Sequence, residues 1–356
     1  MDTLEAMLAS PDAAVDLDEF ARQLFIQRVR LRLSGAAEAA ADPALPGRIR
    51  GAFGEALKHT ASAEAIAGTP CPWSPPCAFD ALFRNKGRMT PGTDYPNPWV
   101  IGVDPEGRDL IVTLSVFGLA CEWLPAAMEL FTDAVRNRLV WPTARSGNSP
   151  SHHPNRGRGL RSRMENIAPP ALVDRQVETQ QGLEPQNDPG LALNNSFNPR
   201  NLGRSLAFLD FISPVTVSGR DLLGEPEAIF AAAGLRLEGI ARWHGLSLKG
   251  AVNWQAMRGA VEALDFAWHD AFPLTWNRRS NRQSRTIRMR GVVGGLTIRM
   301  PEELALASGA TRPDAPDTLP RPDQLQAFST LLEIGSAIHL GSDIAFGCGR
   351  YVLTQR

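Results

Sequence analysis

Cysteine is scarce in this chain: four residues in 356, at Cys71, Cys77, Cys121 and Cys348. So few and so scattered, they exclude a disulfide framework and favour a reducing compartment, with the cytoplasm as the expected location. Cys71 and Cys77 flank Pro-Trp-Ser-Pro-Pro, wider than the usual zinc spacing, and no second pair follows, so no metal or other cofactor is expected. No uninterrupted apolar run approaches the ~20 residues of a membrane helix. The opening Met-Asp-Thr-Leu-Glu lacks the basic and apolar segments of a secretory signal, so a membrane partner is not expected either. Net charge is nearly absent, at -1, so a nucleic-acid partner would have to be held by local asymmetry. One stretch supplies it. From Ala271 to Met300 there is no acidic residue, while Arg278, Arg279, Arg282, Arg285, Arg288, Arg290 and Arg299 all fall there.

What is present is a globular composition, 43% hydrophobic and 21% charged, in a chain long enough for two domains. The first is expected over residues 1–141. Up to about Ala14 the chain reads as a short peripheral helix or a tail. Phe25, Val29, Leu31 and Leu33 then alternate with Arg28, Arg30 and Arg32, the period of a half-buried strand with an arginine-rich polar face. In L-P-G-R-I-R-G-A-F-G-E-A-L-K-H-T, Ile49, Phe53, Ala56 and Leu57 share one helical face behind Pro46. Arg48 and Arg50 lie near the start of that helix, and Lys58 and His59 near its end. Cys77–Phe83 reads as a second helix. Pro98–Val103 and Asp109–Val116 read as strands around the turn D-P-E-G, and Leu124–Val140 as an amphipathic helix. This order of elements suits a ferredoxin-like half better than a doubly wound sheet.

Residues 142–201 lose periodicity and are rich in Gly, Pro, Ser, Asn and Arg, as in a basic flexible linker or insertion. The second domain, 202–356, is expected to open with a strand over Ser205–Val217. A helix over Glu227–Gly245, a strand over Val261–Trp268 and a strand ending V-V-G-G-L-T-I-R-M follow. Its last part joins an apolar helical pattern to a closing strand at Tyr351 through G-S-A-I-H-L-G-S-D-I-A-F-G-C-G-R-Y. Gly335, Gly341, Gly347 and Gly349 there serve either tight turning or close approach to a ligand, and His339 and Arg350 stand among them.

Four of these stretches, in this order, resemble a known family. L-P-G-R-I-R-G-A-F-G-E-A-L, F-I-S-P-V, W-N-R-R-S-N-R-Q with G-V-V-G-G-L, and I-H-L-G-S-D-I-A-F-G-C-G-R-Y are similar to parts of the CRISPR-associated endoribonuclease of the RAMP superfamily, which cuts precursor CRISPR RNA within its repeats. The likeness covers both domains and leaves 142–201 unmatched. It implies an α+β chain of two tandem ferredoxin-like, RRM-like domains. It also implies CRISPR repeat RNA as substrate, other CRISPR effector subunits as further partners, and metal-independent cleavage by the ribose 2′-hydroxyl, with possible retention of the product.

Such cleavage needs a base, an acid and positive charge on a phosphorane-like transition state, and histidine suits the first two near neutral pH. Two places offer these groups: His59 with Lys58, where the family places a histidine in or just after its first helix, and His339 with Arg350. The alternative for His59 is a cation at a helix C-terminus. His152, His153, His244 and His269 read as solvated or structural. For RNA binding the candidates are Arg48, Arg50, Arg278, Arg279, Arg282, Arg285, Arg288, Arg290, Arg350 and the loop glycines Gly341, Gly347 and Gly349, with Trp276 as a stacking platform. The alternative for the arginines is a solvated edge strand. A second function class remains open: a non-catalytic RNA-binding RAMP subunit in which the histidines are incidental.

Overall fold

The structure is a computed structural model that describes residues 3–141, 169–183, 205–280, 285–300 and 320–354. The first sheet contains β1 (Phe25–Leu33), β2 (Trp99–Glu106), β3 (Asp109–Phe117) and β4 (Leu172–Gln181), in the order β2-β3-β1-β4 with every pair antiparallel. Helix α1 (Leu45–Lys58) connects β1 to β2, and α2 (Leu124–Asp133) follows β3. In the second sheet β5 (Ser205–Val215), β6 (Asp265–Ser280), β7 (Arg285–Arg299) and β8 (Tyr351–Thr354) take the equivalent order β6-β7-β5-β8, again all antiparallel. Helices α3 (Ala233–Arg242) and α4 (Trp254–Glu262) lie between β5 and β6, and α5 (Pro322–Ile338) precedes β8. Each half is thus a ferredoxin-like β-α-β-β-α-β unit, and the chain is α+β with two of them in tandem.

Local chemistry accounts for the elements that were anticipated. Val29, Leu31 and Leu33 of β1 are fully buried, as are Ile49, Phe53, Ala56 and Leu57 of α1. Pro46 sits in the first turn of α1, where its missing N–H leaves no intrahelical bond unmade. The opposite face of β1 is less free than its sequence suggests. Arg28 donates to Gln180 at 2.7 Å, Arg30 meets Glu178 at 3.1 Å and Arg32 meets Asp109 at 2.7 Å.

Several elements differ from expectation. Leu172–Gln181, inside the stretch read as a linker, is the fourth strand of the first sheet; residues 142–168, with His152 and His153, and 184–201 lie outside the described residues. An edge strand that packs on little has no need of an apolar alternation, and Val173 and Val177 stay exposed. Val261 belongs to α4, whose first turn is capped by the Asn253 side chain accepting from Ala256 N–H at 2.9 Å. The strand begins only at Asp265. Gly335 lies inside α5, in a position where a Cβ would collide with the Tyr351 hydroxyl. The N-terminal segment is integrated too. Leu4 and Leu8 are buried, and Ala13–Ala14 pairs in parallel with Leu246–Ser247 of the second half.

The halves are interlocked through exchanged core residues. Trp243, just after α3, is buried in the hydrophobic core of the first half and donates its indole N–H to Pro96 O at 3.1 Å. Ile26, Val100 and Phe117 of the first sheet are buried in the core of the second. Gly118, at φ +57, lies where any Cβ would collide with the Trp243 carbonyl, which accepts from Leu119 N–H at 2.7 Å. Beyond the part of β7 that pairs with β5, the β6–β7 ribbon runs on. Its Trp276 and Met289 bury themselves against Cys348 and pack with Ala44, beside the start of α1.

Trp243→Ala is therefore expected to lower unfolding free energy by about 3–5 kcal/mol, the usual cost of truncating a buried aromatic. Val352→Ala, at a residue 48% exposed, should change it by less than about 0.5 kcal/mol. Equilibrium urea unfolding followed by tryptophan fluorescence and circular dichroism measures both, and equal effects would contradict the interlock.

Candidate nucleic-acid interface

Three elements converge at the junction of the halves: the first turns of α1, the ribbon and the glycine-rich loop after α5. Gly347, at φ +81, lets the loop come so close to Pro46 that a Cβ there would collide with the proline ring. Beside it, the Phe346 ring lies between two guanidinium groups. Arg50 from α1 is 4.7 Å from the ring centroid and Arg278 from the ribbon 4.0 Å; Arg50 also stands 5.4 Å from the Phe83 ring. The ring faces stabilise the cations, but among the described residues no carboxylate balances them closely. Among the described residues neither Arg50 nor Arg278 forms an ion pair, and the Nε of each is buried without a hydrogen-bond partner.

Burial, then the neighbouring Arg278, pushes the Arg50 pKa down to about 10, so it remains charged at neutral pH. Asp343 is the nearby acid: burial raises its pKa, and the Arg278 charge works against that shift. Two like charges sharing one ring, that of Arg50 desolvated, make a place where an anion is favoured, and a phosphate diester fits because guanidinium groups present paired donors to its oxygens. Arg48, two residues earlier, is ion-paired to Asp42.

The other anticipated residues do not join this cluster. Arg350 spans the halves, donating to Asp104 at 2.6 Å with its guanidinium stacked over Gly102. His339 is buried, at φ +64, with Nδ1 unpartnered. Its pKa is held well below the ordinary value, first by burial and then by Arg350 and Arg236, so the ring is neutral near pH 7. The loop glycines chiefly allow close packing: Gly341 lies against Thr216 O and Gly349 against Leu340 O. Amides of this loop are engaged internally, Ser342 N–H with Thr216 O at 2.6 Å and Gly349 N–H with Pro214 O at 2.9 Å.

His59 is exposed at the C-terminal cap of α1, and its charge contributes to the lowered pKa of Asp133, behind the hydrogen bonds from Asn137 and Arg138. Lys58 pairs with Glu55 at 2.9 Å. With a rise of about 1.5 Å per residue, His59 stands about 14 Å along the helix from Arg50. On the ribbon, Arg288 and Arg290 are exposed, opposite Asn277 and Thr275. Arg285 begins β7 and is exposed as well, whereas the Arg279 side chain and Arg282 lie outside the described residues. Trp276 is only 8% exposed, buried under the ribbon, so it offers no free face for stacking. His244 is structural: Nε2 accepts from Phe25 N–H at 3.0 Å, and Nδ1 lies 2.9 Å from Ile240 O. The residue that sequence reasoning passed over is Phe346, whose one visible signal was an aromatic side chain set among loop glycines.

The N-terminal domain of the AF_1859_N family matches residues 24–146. No curated protein sequence matches the chain. Among solved structures, it is similar to a Cas6 product complex, at 15% identity and TM-score 0.45, covering 93% of this chain and 99% of that one. It is also similar to a Thermus thermophilus Cas6, at 13% identity and TM-score 0.44, covering 93% and 98%. A structure of Cas6b is a third, at 8% identity and TM-score 0.34, covering 93% and 100%.

Proposed function

We propose that this chain is an endoribonuclease that cuts CRISPR repeat RNA, without a metal, by attack of a ribose 2′-hydroxyl. The observation that carries this reading is the Arg50–Phe346–Arg278 arrangement, two unpaired guanidinium groups brought together from different domains by the glycine-rich loop. Three of the four motifs that resemble the repeat-cutting family supply its members, Arg50, Arg278 and Phe346. In the proposal, Arg50 and Arg278 grip a backbone phosphate, and the exposed Arg285, Arg288 and Arg290 extend the track. His59, whose ring reaches solvent, moves the proton. The reaction takes place in the cytoplasm, and the cut RNA stays bound for other CRISPR effector subunits.

A second reading has its own observation. His339 is buried and His59 stands more than two helical turns from Arg50, an arrangement that also suits a subunit that holds RNA without cutting it.

Repeat RNA incubated with the protein in EDTA should be cut, leaving a 2′,3′-cyclic phosphate or 3′-phosphate end. A single 2′-deoxy substitution upstream of the cut should abolish it. Cleavage of the deoxy substrate would exclude the mechanism, and intact RNA that is nevertheless bound would select the second reading.

The roles of the two places separate by mutation. His59→Ala should slow single-turnover cleavage by about 10² to 10⁴ with affinity within a few-fold, the ordinary size of general acid–base catalysis. Arg50→Met should weaken RNA binding and reduce the slope of log affinity against log salt by about 0.7 for each phosphate of single-stranded RNA that is no longer neutralised. Its thermal stability should be retained or raised, because a desolvated, unpaired charge is exchanged for an apolar side chain. An unchanged salt slope in folded Arg50→Met would remove Arg50 from the RNA track.

A further inference from the structure

The Cys71–Cys77 loop leads directly into the short helix Ala78–Phe83 and is not needed by the proposed RNA chemistry. Its two ends are drawn together by a ring of hydrogen bonds. Cys77 N–H donates to Cys71 Sγ at 3.4 Å, Cys71 N–H donates to Asp80 Oδ2 at 2.8 Å, and Asp80 N–H donates to Cys77 Sγ at 3.4 Å. The Cys71 sulfur is thus held against the far end of the loop, the Cys77 sulfur caps the first turn of the helix, and the two thiols hydrogen-bond each other. They are unequal. Cys71 is partly exposed, while Cys77 is buried at the helix cap.

A metal fits poorly. Among the described residues no third ligand completes a group with these thiols, and Asp80 is already occupied by Arg84 and by Lys86 Nζ at 2.9 Å. We propose that Cys71 and Cys77 form a redox-active dithiol, a modification site that reacts with small disulfides of the glutathione class and closes to an intramolecular disulfide. Cys71, as thiolate, attacks one sulfur of glutathione disulfide; a Cys71–glutathione bond forms and one glutathione thiolate leaves. Cys77 then gives up its proton and attacks Cys71 Sγ, forming the Cys71–Cys77 bond and releasing the second glutathione. The protein loses two electrons and two protons, and the disulfide gains both pairs.

The acid–base asymmetry agrees with these roles. Burial raises the Cys71 pKa, but hydrogen bonds with the Ser62 hydroxyl, the Cys77 and Trp73 amides and the Cys77 thiol outweigh it and bring the thiol down, as an attacking sulfur requires. Burial keeps Cys77 up, as in a resolving thiol that acts only once a mixed disulfide is next to it. Cys121 and Cys348 are internal controls, each buried and each pushed up to about 12, first by burial.

The full chain, reduced and freed of reductant, is treated with glutathione disulfide near neutral pH, alkylated without reduction and mapped by peptide mass spectrometry. Loss of alkylation at Cys71 and Cys77 alone, with a cross-linked peptide lighter by two hydrogens and reversed by dithiothreitol, is the expected result. Cys77→Ser should stop at a glutathione adduct on Cys71, and Cys71→Ser should react at least about tenfold more slowly, because the accessible thiolate is gone. The proposal fails if wild type stops at a mixed disulfide or stays fully alkylatable. It also fails if Cys71→Ser reacts as fast as wild type. Should a serine variant not fold, the wild-type map alone decides.

Discussion

The exchange of core residues between the two halves is the constraint on which the rest of the molecule depends. Each ferredoxin-like unit could fill its own interior, yet Trp243 fills part of the first core, and Ile26, Val100 and Phe117 fill part of the second. Domains joined only by a polar surface move relative to one another by default. Here a movement would have to extract an indole and three apolar side chains into water, at roughly 1.5–3 kcal/mol for each. The relative placement of the halves is therefore fixed by packing, and Arg50 and Arg278, one from each half, can share a single ring. A site built across such a joint is as rigid as the joint.

Electrostatic contrast, more than total charge, distinguishes one arginine from another in this nearly neutral chain. The β1 arginines face acids and amides on neighbouring strands, so their charge is largely satisfied within the sheet. Arg350 is likewise committed to Asp104, and Arg48 to Asp42. The stretch without acids behaves differently. Arg278 has no ion-pair partner among the described residues, and Arg288 and Arg290 project from the outer face of the ribbon. The paired arginines thus stand out by what is missing around them, and the shortage of acids is already visible along the chain itself.

Much of the fold was legible in this way because its signals are local. The alternation in β1, the apolar face of α1 and the hairpin signal each depend on residues within a few positions; β2 and β3 do form that hairpin, although its turn falls at Gly107–Arg108 and Asp104, Pro105 and Glu106 belong to β2. β4 was not legible, because an exposed edge strand made of Val173, Arg175, Gln176 and Glu178 carries no periodicity that its packing requires. The candidate site could be drawn up by residue type but not by geometry. Arg50 and Arg278 were recognisable as candidates, but their meeting at Phe346 joins segments far apart along the chain, and nothing local encodes it. His339 illustrates the converse: its glycine-rich surroundings left tight turning and approach to a ligand both open, and in the structure the positive-φ glycines allow the loop to pack tightly while the ring is buried.

That the paired arginines persist at all follows from weighing two costs. A guanidinium held away from water with a like charge beside it destabilises the folded chain, and the cation–π contacts with Phe346 offset only part of this, at about 0.5–2 kcal/mol each. A carboxylate placed nearby would relieve the repulsion, but it would also neutralise the field that attracts an anion. Asp343 occupies a middle position, close enough for its pKa to feel Arg278 and not joined to it in an ion pair. An incoming phosphate would supply the missing negative charge and return the stability that the empty arrangement gives up. Binding and local rigidity are then linked at this junction, in the sense that whichever ligand fills it also tightens the loop, α1 and the ribbon around Phe346.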